Sequence, residues 1–275
     1  MASSPSPITT CGSLSLHPVT FGRQMHQAAY DALGLPWLYV PFACESAGLK
    51  AALEGMRALS IRGFGISMPF KIEILPLLDE IAPLARTIGA VNTVVNDGGR
   101  LCGHNTDAEG AVQALEEAVG SLQGARVMVI GAGGAARAVA FGVHAAGAKL
   151  LLCNRTRDKA EALAAELKGA EVVAYEEALR KPPADIVVQA TSAGMAGAAS
   201  LPFEPAAFNE RSVVMDIVYK PLRTELIDQA QAAGAKTVHG ARMLLFQAAR
   251  QFELYTGKTA PLGVMDEVIR GVAAG

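Results

Sequence analysis

The chain has 275 residues, 51% of them hydrophobic and 18% charged, which is enough apolar material to fill more than one core. A formal net charge of −2 supplies no basic excess to condense on phosphates, which argues against nucleic acid as the main partner and leaves a small neutral or anionic ligand open. Cys11, Cys44, Cys102 and Cys153 lie far apart without paired spacing, so neither a metal site nor a disulfide framework is read.

The opening stretch "MASSPSPITT" lacks a basic segment followed by an apolar one, and no apolar run approaches the roughly 20 residues of a membrane span. The expectation is a soluble cytoplasmic protein that does not bind membranes. In chain order, "ITTCGSLSL", "PWLYVPFA" and "GFGISM" read as strands, with "RQMHQAAYDALG" and "LKAALEGMRAL" as helices. "AVNTVVNDGGRLCGHN" places two alternating runs around Asp97, Gly98 and Gly99, the signature of a hairpin. From there "ARVMVIGAG", "ARAVAFGVHAAG", "AKLLLCNR", "KAEALAAELKG", "EVVAY" and "ADIVVQAT" alternate strand and helix, the rhythm of a parallel sheet covered on both faces. "ARMLLFQAARQFELYTG" reads as a helix stopped at Gly257, and "APLGVMDEVIRGVAA" as a final helix. The fold class expected is α/β with two domains. Residues 108–239 form a Rossmann-like doubly wound dinucleotide domain, and residues 1–107 with 240–275 form an α/β substrate domain completed by C-terminal helices.

Within "VMVIGAGGAARAVA" a strand runs into Gly131, Ala132, Gly133, Gly134, Ala135 and Ala136, and a helix follows at once. Glycines permit the tight turn and let backbone N–H groups at a helix N-terminus approach a pyrophosphate, so a dinucleotide site is read here. About 20 residues on, where an NAD site usually carries an acid, the second strand ends in "CNRTRDK". Asn154 takes the acid's place, and Arg155 and Arg157 suit a 2′-phosphate, which favours NADP. Thr156 alternatively reads as a plain helix cap.

Lys71 follows the apolar run "GFGISMPF", where a cation at a helix start opposes the macrodipole. It is either a surface lysine or a functional one. "GAVNTVVN" and "GHNTDAEG" each put Asn and Thr at a strand end, and Asp107 follows the second pair just ahead of a helix. Asp107 as an ordinary N-cap and Asn92 as a turn former are the plain alternatives.

Together these blocks resemble the shikimate dehydrogenase family. "GFGISMPFK" is similar to its G-x-N-V-T-x-P-x-K, "GAVNT" and "GHNTD" to its two Asn-Thr segments, and "GAGGAAR" and "NRT" to its cofactor loop. "ATSAGM", "MDIVYKPLRTELI" and "ARMLLFQAARQFELYTG" are similar to later blocks, in the family's order, from about residue 11 onward. The resemblance implies NADP as cofactor, a split substrate domain, and hydride transfer to or from a secondary alcohol in the cleft between domains. It implies Lys71 and Asp107 as the catalytic pair, a lysine being able to take the hydroxyl proton once desolvation lowers its pKa. Thr20, Arg23, Ser67, Asn92, Tyr219 and Gln247 fall at substrate positions. Thr191, Ser192, Met195, Ile217, Gly240 and Met243 fall beside the cofactor. Gln247 also suits the exposed face of an amphipathic helix, and Tyr219 a packing role at a strand end.

The sequence departs from the family where a substrate carboxylate is held. "TFGR" stands for S-x-S-P, so Gly22 has no hydroxyl and Arg23 replaces the proline, while Gly65 stands for asparagine and Ser67 for threonine. Each lost hydrogen bond to a charged acceptor is worth about 1.5–3 kcal/mol, so shikimate is expected to bind weakly unless Arg23 compensates. Gln189 replaces an asparagine, and Arg242 enters a G-x-x-M turn, either meeting an anion or facing water. The expectation is an NADP-dependent dehydrogenase of a shikimate- or quinate-like cyclic polyol acid, monomeric or homodimeric, with a catalytically weak dinucleotide-binding sensor as the alternative.

Overall fold

The computed structural model describes residues 8–18, 20–67, 69–195 and 197–273. Met68, inside the lysine motif, lies outside the described residues. The chain divides into two compact units, one of residues 1–106 with 248–275, the other of residues 107–247.

The first unit opens with β1 (Thr9–Ser15), α1 (Phe21–Ala32), β2 (Trp37–Ala43), α2 (Leu49–Ala58) and β3 (Gly63–Ile66). A short α3 (Phe70–Glu73), β4 (Glu80–Ile81) and α4 (Pro83–Ile88) precede the hairpin strands β5 (Thr93–Asp97) and β6 (Arg100–His104). The sheet runs β2-β1-β3-β5-β6-β4, parallel from β2 to β3 and antiparallel across β3, β5 and β6. Gly98 and Gly99 turn the hairpin with φ of 61° and 96°, the left-handed pair that a two-residue turn requires.

Side chains alternate across β3. Phe64 and Ile66 join Leu53, Met56 and Val94 in the core beneath α2. Gly63 and Gly65 face the other way, where the end of the long C-terminal helix packs: a Cβ on Gly63 would come within 2.2 Å of the Tyr255 ring. The small residues of β3 are thus the space that this helix fills. α1 packs against the final helix, and Tyr30 sets its ring 5.4 Å from those of Trp37 and Phe252.

The second unit begins within α5 (Thr106–Val119) and holds β7 (Arg126–Ile130), α6 (Gly134–Ala145), β8 (Lys149–Cys153), α7 (Arg157–Glu166), β9 (Glu171–Val172) and α8 (Tyr175–Arg180). β10 (Ile186–Gln189), β11 (Val213–Asp216), α9 (Glu225–Ala232) and β12 (Lys236–His239) follow. α10 (Gly240–Thr256) carries the chain back to the first unit, and α11 (Leu262–Ala273) closes it. All six strands are parallel in the order β12-β11-β10-β7-β8-β9, so strand order reverses between β7 and β10. That switch point is where open α/β sheets bind ligands. The core beneath it, Met128, Ile130, Leu151, Val187, Val214 and Leu226, explains why these strands read as continuous apolar runs rather than alternating ones.

Candidate active site

In the second unit the glycine turn sits at the switch point. Gly131 has φ of 125°, and a Cβ there would lie 2.9 Å from the Ala190 carbonyl oxygen beyond β10 and 3.2 Å from Ala136 Cβ. Only glycine fits both demands. Gly133 is the N-cap of α6, and neither it nor Gly134 has any atom within 4 Å of a would-be Cβ. A 12-residue helix therefore presents its N-terminal N–H groups beside open space, a cradle that suits a pyrophosphate.

At the end of β8, Asn154 Nδ2 donates to the Thr156 carbonyl at 2.8 Å, which shapes the turn. Arg155 is exposed and makes no ion pair among the described residues. Arg157 is different: its Nε donates to Glu161 Oε1 at 2.7 Å, one turn along α7. Thr156 is the N-cap of α7 by position, but its side chain makes no capping bond. Beyond β10, Gln189 Nε2 donates to the Ala193 carbonyl at 3.0 Å and to Asp216 Oδ1 at 3.2 Å, while the Thr191 N–H donates back to Gln189 Oε1. This locks the segment carrying Thr191 and Ser192 to β11; Met195, further on, is 39% exposed. Asp216 also accepts from Thr224 Oγ1 at 2.7 Å; burial raises its pKa, with that bond opposing. Ile217 and Tyr219 follow β11, both half-buried. A Cβ on Gly240 would strike the Ile217 carbonyl oxygen at 2.4 Å, so the first turn of α10, which includes Met243, packs directly on the end of β11.

Asp107 is buried in the first turn of α5, inside the helix rather than at its cap. Two glycines let neighbouring helices close on that turn. A Cβ on Gly142 of α6 would lie 2.8 Å from the Ala108 carbonyl oxygen, and one on Gly110 would lie 2.8 Å from the Gln247 backbone nitrogen and the Met243 carbonyl oxygen. Gly110 shares a helix face with Asp107, three residues before it, and Gln247 lies where α10 crosses α5 at Gly110. Gln247 is buried, with Nε2 donating to the Leu244 carbonyl at 3.1 Å, and is not on an exposed face. Arg242 grips Glu117 of α5, Nε to Oε2 at 2.8 Å and Nη2 to Oε1 at 2.5 Å, with its guanidinium over the Phe246 ring.

In the first unit Lys71 is half-buried on α3, and its carbonyl accepts from the Val91 N–H at 2.8 Å. Next in the chain, Asn92 is 2% exposed. Its Oδ1 accepts from the Thr106 N–H at 2.7 Å and from Thr93 Oγ1 at 2.8 Å, and its Nδ2 donates to Thr106 Oγ1 at 2.9 Å. Gln251 Nε2 donates to Thr93 Oγ1 at 3.0 Å and to the Asn92 carbonyl at 3.3 Å. Ser67 is exposed, its carbonyl accepting from the Phe70 N–H at 3.0 Å where α3 begins. Thr20 and Arg23 are exposed at the start of α1, Thr20 as an N-cap without a side-chain bond.

Thr93, Thr106, Gln251 and Asp216 are structural partners that sequence reasoning did not single out. The Asn-Thr repetition, "NT" at 92–93 and at 105–106, was the available signal for the first two. Nothing marks Gln251 except its place one turn after Gln247. A depression of about 440 Å³ bordered by Arg126, His144, Lys149, Lys168 and Glu171 lies at the N-terminal ends of β7 and β8, the end of those strands away from the glycine turn.

Three family models match the chain: the shikimate dehydrogenase substrate binding domain over residues 18–94, shikimate / quinate 5-dehydrogenase over 113–218, and the shikimate 5'-dehydrogenase C-terminal domain over 240–270. The chain is 45% identical over 247 residues to a shikimate dehydrogenase (NADP(+)) of Natronomonas pharaonis, covering 90% of this chain and 92% of that one. Among solved structures it is similar to a shikimate dehydrogenase in complex with NADP+, at 37% identity and a TM-score of 0.91, covering 97% and 96% of the two chains. It is also similar to the ligand-free 5-ketofructose reductase of Gluconobacter sp. strain CHM43, at 34% identity and a TM-score of 0.90, covering 97% and 99%.

Proposed function

The chain belongs to the shikimate dehydrogenase family, and on that premise we propose that it is an NADP-dependent dehydrogenase acting reversibly on a secondary alcohol of a shikimate-like cyclic polyol. In the reverse direction this is reduction of a 3-dehydroshikimate-type ketone. NADP, when bound, supplies the hydride chemistry.

The chain's own residues bind, orient and move the proton. Gly131 to Ala136 cradle the pyrophosphate at the start of α6, and Arg155, exposed and unpaired with any carboxylate among the described residues, meets the 2′-phosphate beside Asn154 and Thr156. Thr191, Ser192, Met195, Ile217, Gly240 and Met243 line the cofactor side. Arg157, engaged by Glu161, contributes less. Lys71 takes the proton from the substrate hydroxyl in oxidation and returns it in reduction, and Asp107 is the acid of the catalytic pair that family membership implies. Ser67, Asn92, Tyr219 and Gln247 orient the substrate, with Thr20 and Arg23 at its rim. The four cysteines are free, in keeping with a cytoplasmic enzyme.

The observation that carries this reading is the joint retention of the open glycine cradle with the lysine, the buried Asp107 and the Asn92–Thr106 clasp that precedes it. The test is absorbance of the reduced cofactor in mixtures of protein and NADP+ with shikimate, quinate and uncharged polyol analogues. Turnover of at least one supports the reading, and bound cofactor without any turnover removes it.

A further inference from the structure

Two glycines of the first unit border one buried hydroxyl. A Cβ on Gly65 would lie 3.1 Å from Tyr39 Oη and 3.4 Å from Gln251 Nε2, and one on Gly22 would meet only Tyr39 Oη, at 3.8 Å. Tyr39 is 3% exposed and stacks on the fully buried His26, ring centroids 4.5 Å apart and 4° from coplanar. Among the described residues neither ring nitrogen of His26 makes a well-formed hydrogen bond, although Gln251 lies close enough to favour its protonated form. Gln251 donates to Thr93 Oγ1 and the Asn92 carbonyl, so its end of this polar set joins the clasp next to Val91, whose N–H holds the Lys71 carbonyl.

Every member of the set is neutral. Burial pushes the Tyr39 hydroxyl well above its ordinary pKa, with Cys11 adding to this and Ser13 opposing, and pushes His26 down to about 4, with Gln251 opposing. Among the described residues the side chains that act on the two groups, Cys11, Ser13 and Gln251, carry no lysine, arginine or carboxylate charge. Arg23, the nearest cation to Gly22 along the chain, is exposed. A carboxylate seated against such a set would lose hydration without meeting a counter-charge. A hydroxyl would not, because a phenol and an amide both donate and accept.

Building on the dehydrogenase reading, we propose that Tyr39 is a specificity-determining residue. With Gln251 it receives the end of the substrate remote from the reacting carbon and selects an uncharged hydroxyl or hydroxymethyl group there over a carboxylate. Gly22 leaves the room for that group beside the phenol, while Gly65 lets Tyr39 and Gln251 come together against β3.

The test uses a matched pair, shikimate and the analogue with hydroxymethyl in place of its carboxylate. Each is titrated calorimetrically into the protein–NADPH complex, where an alcohol has no hydride acceptor and affinity is read apart from turnover. The hydroxymethyl compound is expected to bind about tenfold tighter or more, Tyr39→Phe to shrink that preference to about threefold or less, and Arg23→Ala to leave it unchanged. Equal or tighter binding of shikimate, a preference untouched by Tyr39→Phe, or selective loss of shikimate binding in Arg23→Ala would each overturn the proposal. Rates with NADP+ are measured in parallel. The binding preference without turnover would support Tyr39's role while removing the dehydrogenase reading, and turnover without the preference would do the reverse.

Discussion

Asn92 clasps Thr106, its Oδ1 accepting from the Thr106 N–H at 2.7 Å and its Nδ2 donating to the Thr106 hydroxyl at 2.9 Å. The clasp fixes the start of α5 one residue ahead of Asp107. Replacing Asn92 by Ala removes the hydrogen bonds its buried side chain makes to Thr93 and Thr106 and frees that turn. The expected result is a stability loss of about 1–3 kcal/mol in urea unfolding and a fall in kcat of about 10–100-fold, with NADP affinity unchanged. An unchanged kcat would show that the clasp does not position the carboxylate.

Gly131 and Gly133 separate folding from binding at the cofactor turn. Gly131→Ala forces a side chain into a left-handed backbone against the Ala190 carbonyl and should lower stability by about 1–3 kcal/mol. Gly133→Ala meets nothing within 4 Å in the protein, so its melting temperature should hold while its KM for NADP rises. Equal melting temperatures for the two variants would contradict this account of the turn.

Arg155 and Arg157 were equivalent in the sequence and are not equivalent in the structure. Because Arg157 is engaged by Glu161, Arg155→Ala should raise KM for NADP by about tenfold and leave that for NAD nearly unchanged, with a smaller effect from Arg157→Ala. Comparing initial rates with the two cofactors decides it, and the reverse ranking would assign the phosphate to Arg157.

His26 makes stability depend on pH. Its folded-state pKa is lowered from 6.5 to about 4 by burial, with Gln251 opposing, so the neutral ring stabilises the fold above pH 6.5. That contribution, about 3 kcal/mol, is lost as pH falls from 6.5 through 4. His26→Phe keeps a ring against Tyr39 and removes two unmet polar atoms. Urea unfolding at pH 7 and pH 4.5 should show a smaller acid loss in the variant; an identical loss would move the acid sensitivity elsewhere.

The parallel half of the fold was readable because its strands are buried on both faces and its glycine turn is chemically distinctive. The hairpin was readable because Asp97-Gly98-Gly99 allows little else. Short elements were not: β4 has two residues, α3 four, and their pairing with distant segments leaves no periodicity. "EVVAY" read as a full strand, yet β9 is only Glu171–Val172. Gly65 read only as a missing hydrogen bond, because its alternation with Gly63 on the face of β3 that meets Tyr255 and Gln251 emerges only once the helix is packed there. Asn92 and Arg242 read toward a ligand, and a sequence alone does not show the protein partners they also have, Thr106 and Glu117.

Proton transfer by Lys71 is the centre of the account, and its most direct measurement is kcat/KM of Lys71→Ala on the best substrate alongside NADP affinity by fluorescence titration. The account predicts a fall of about 10²–10⁴ in kcat/KM with cofactor affinity held within about twofold. A variant that turns over at the parent rate would contradict it.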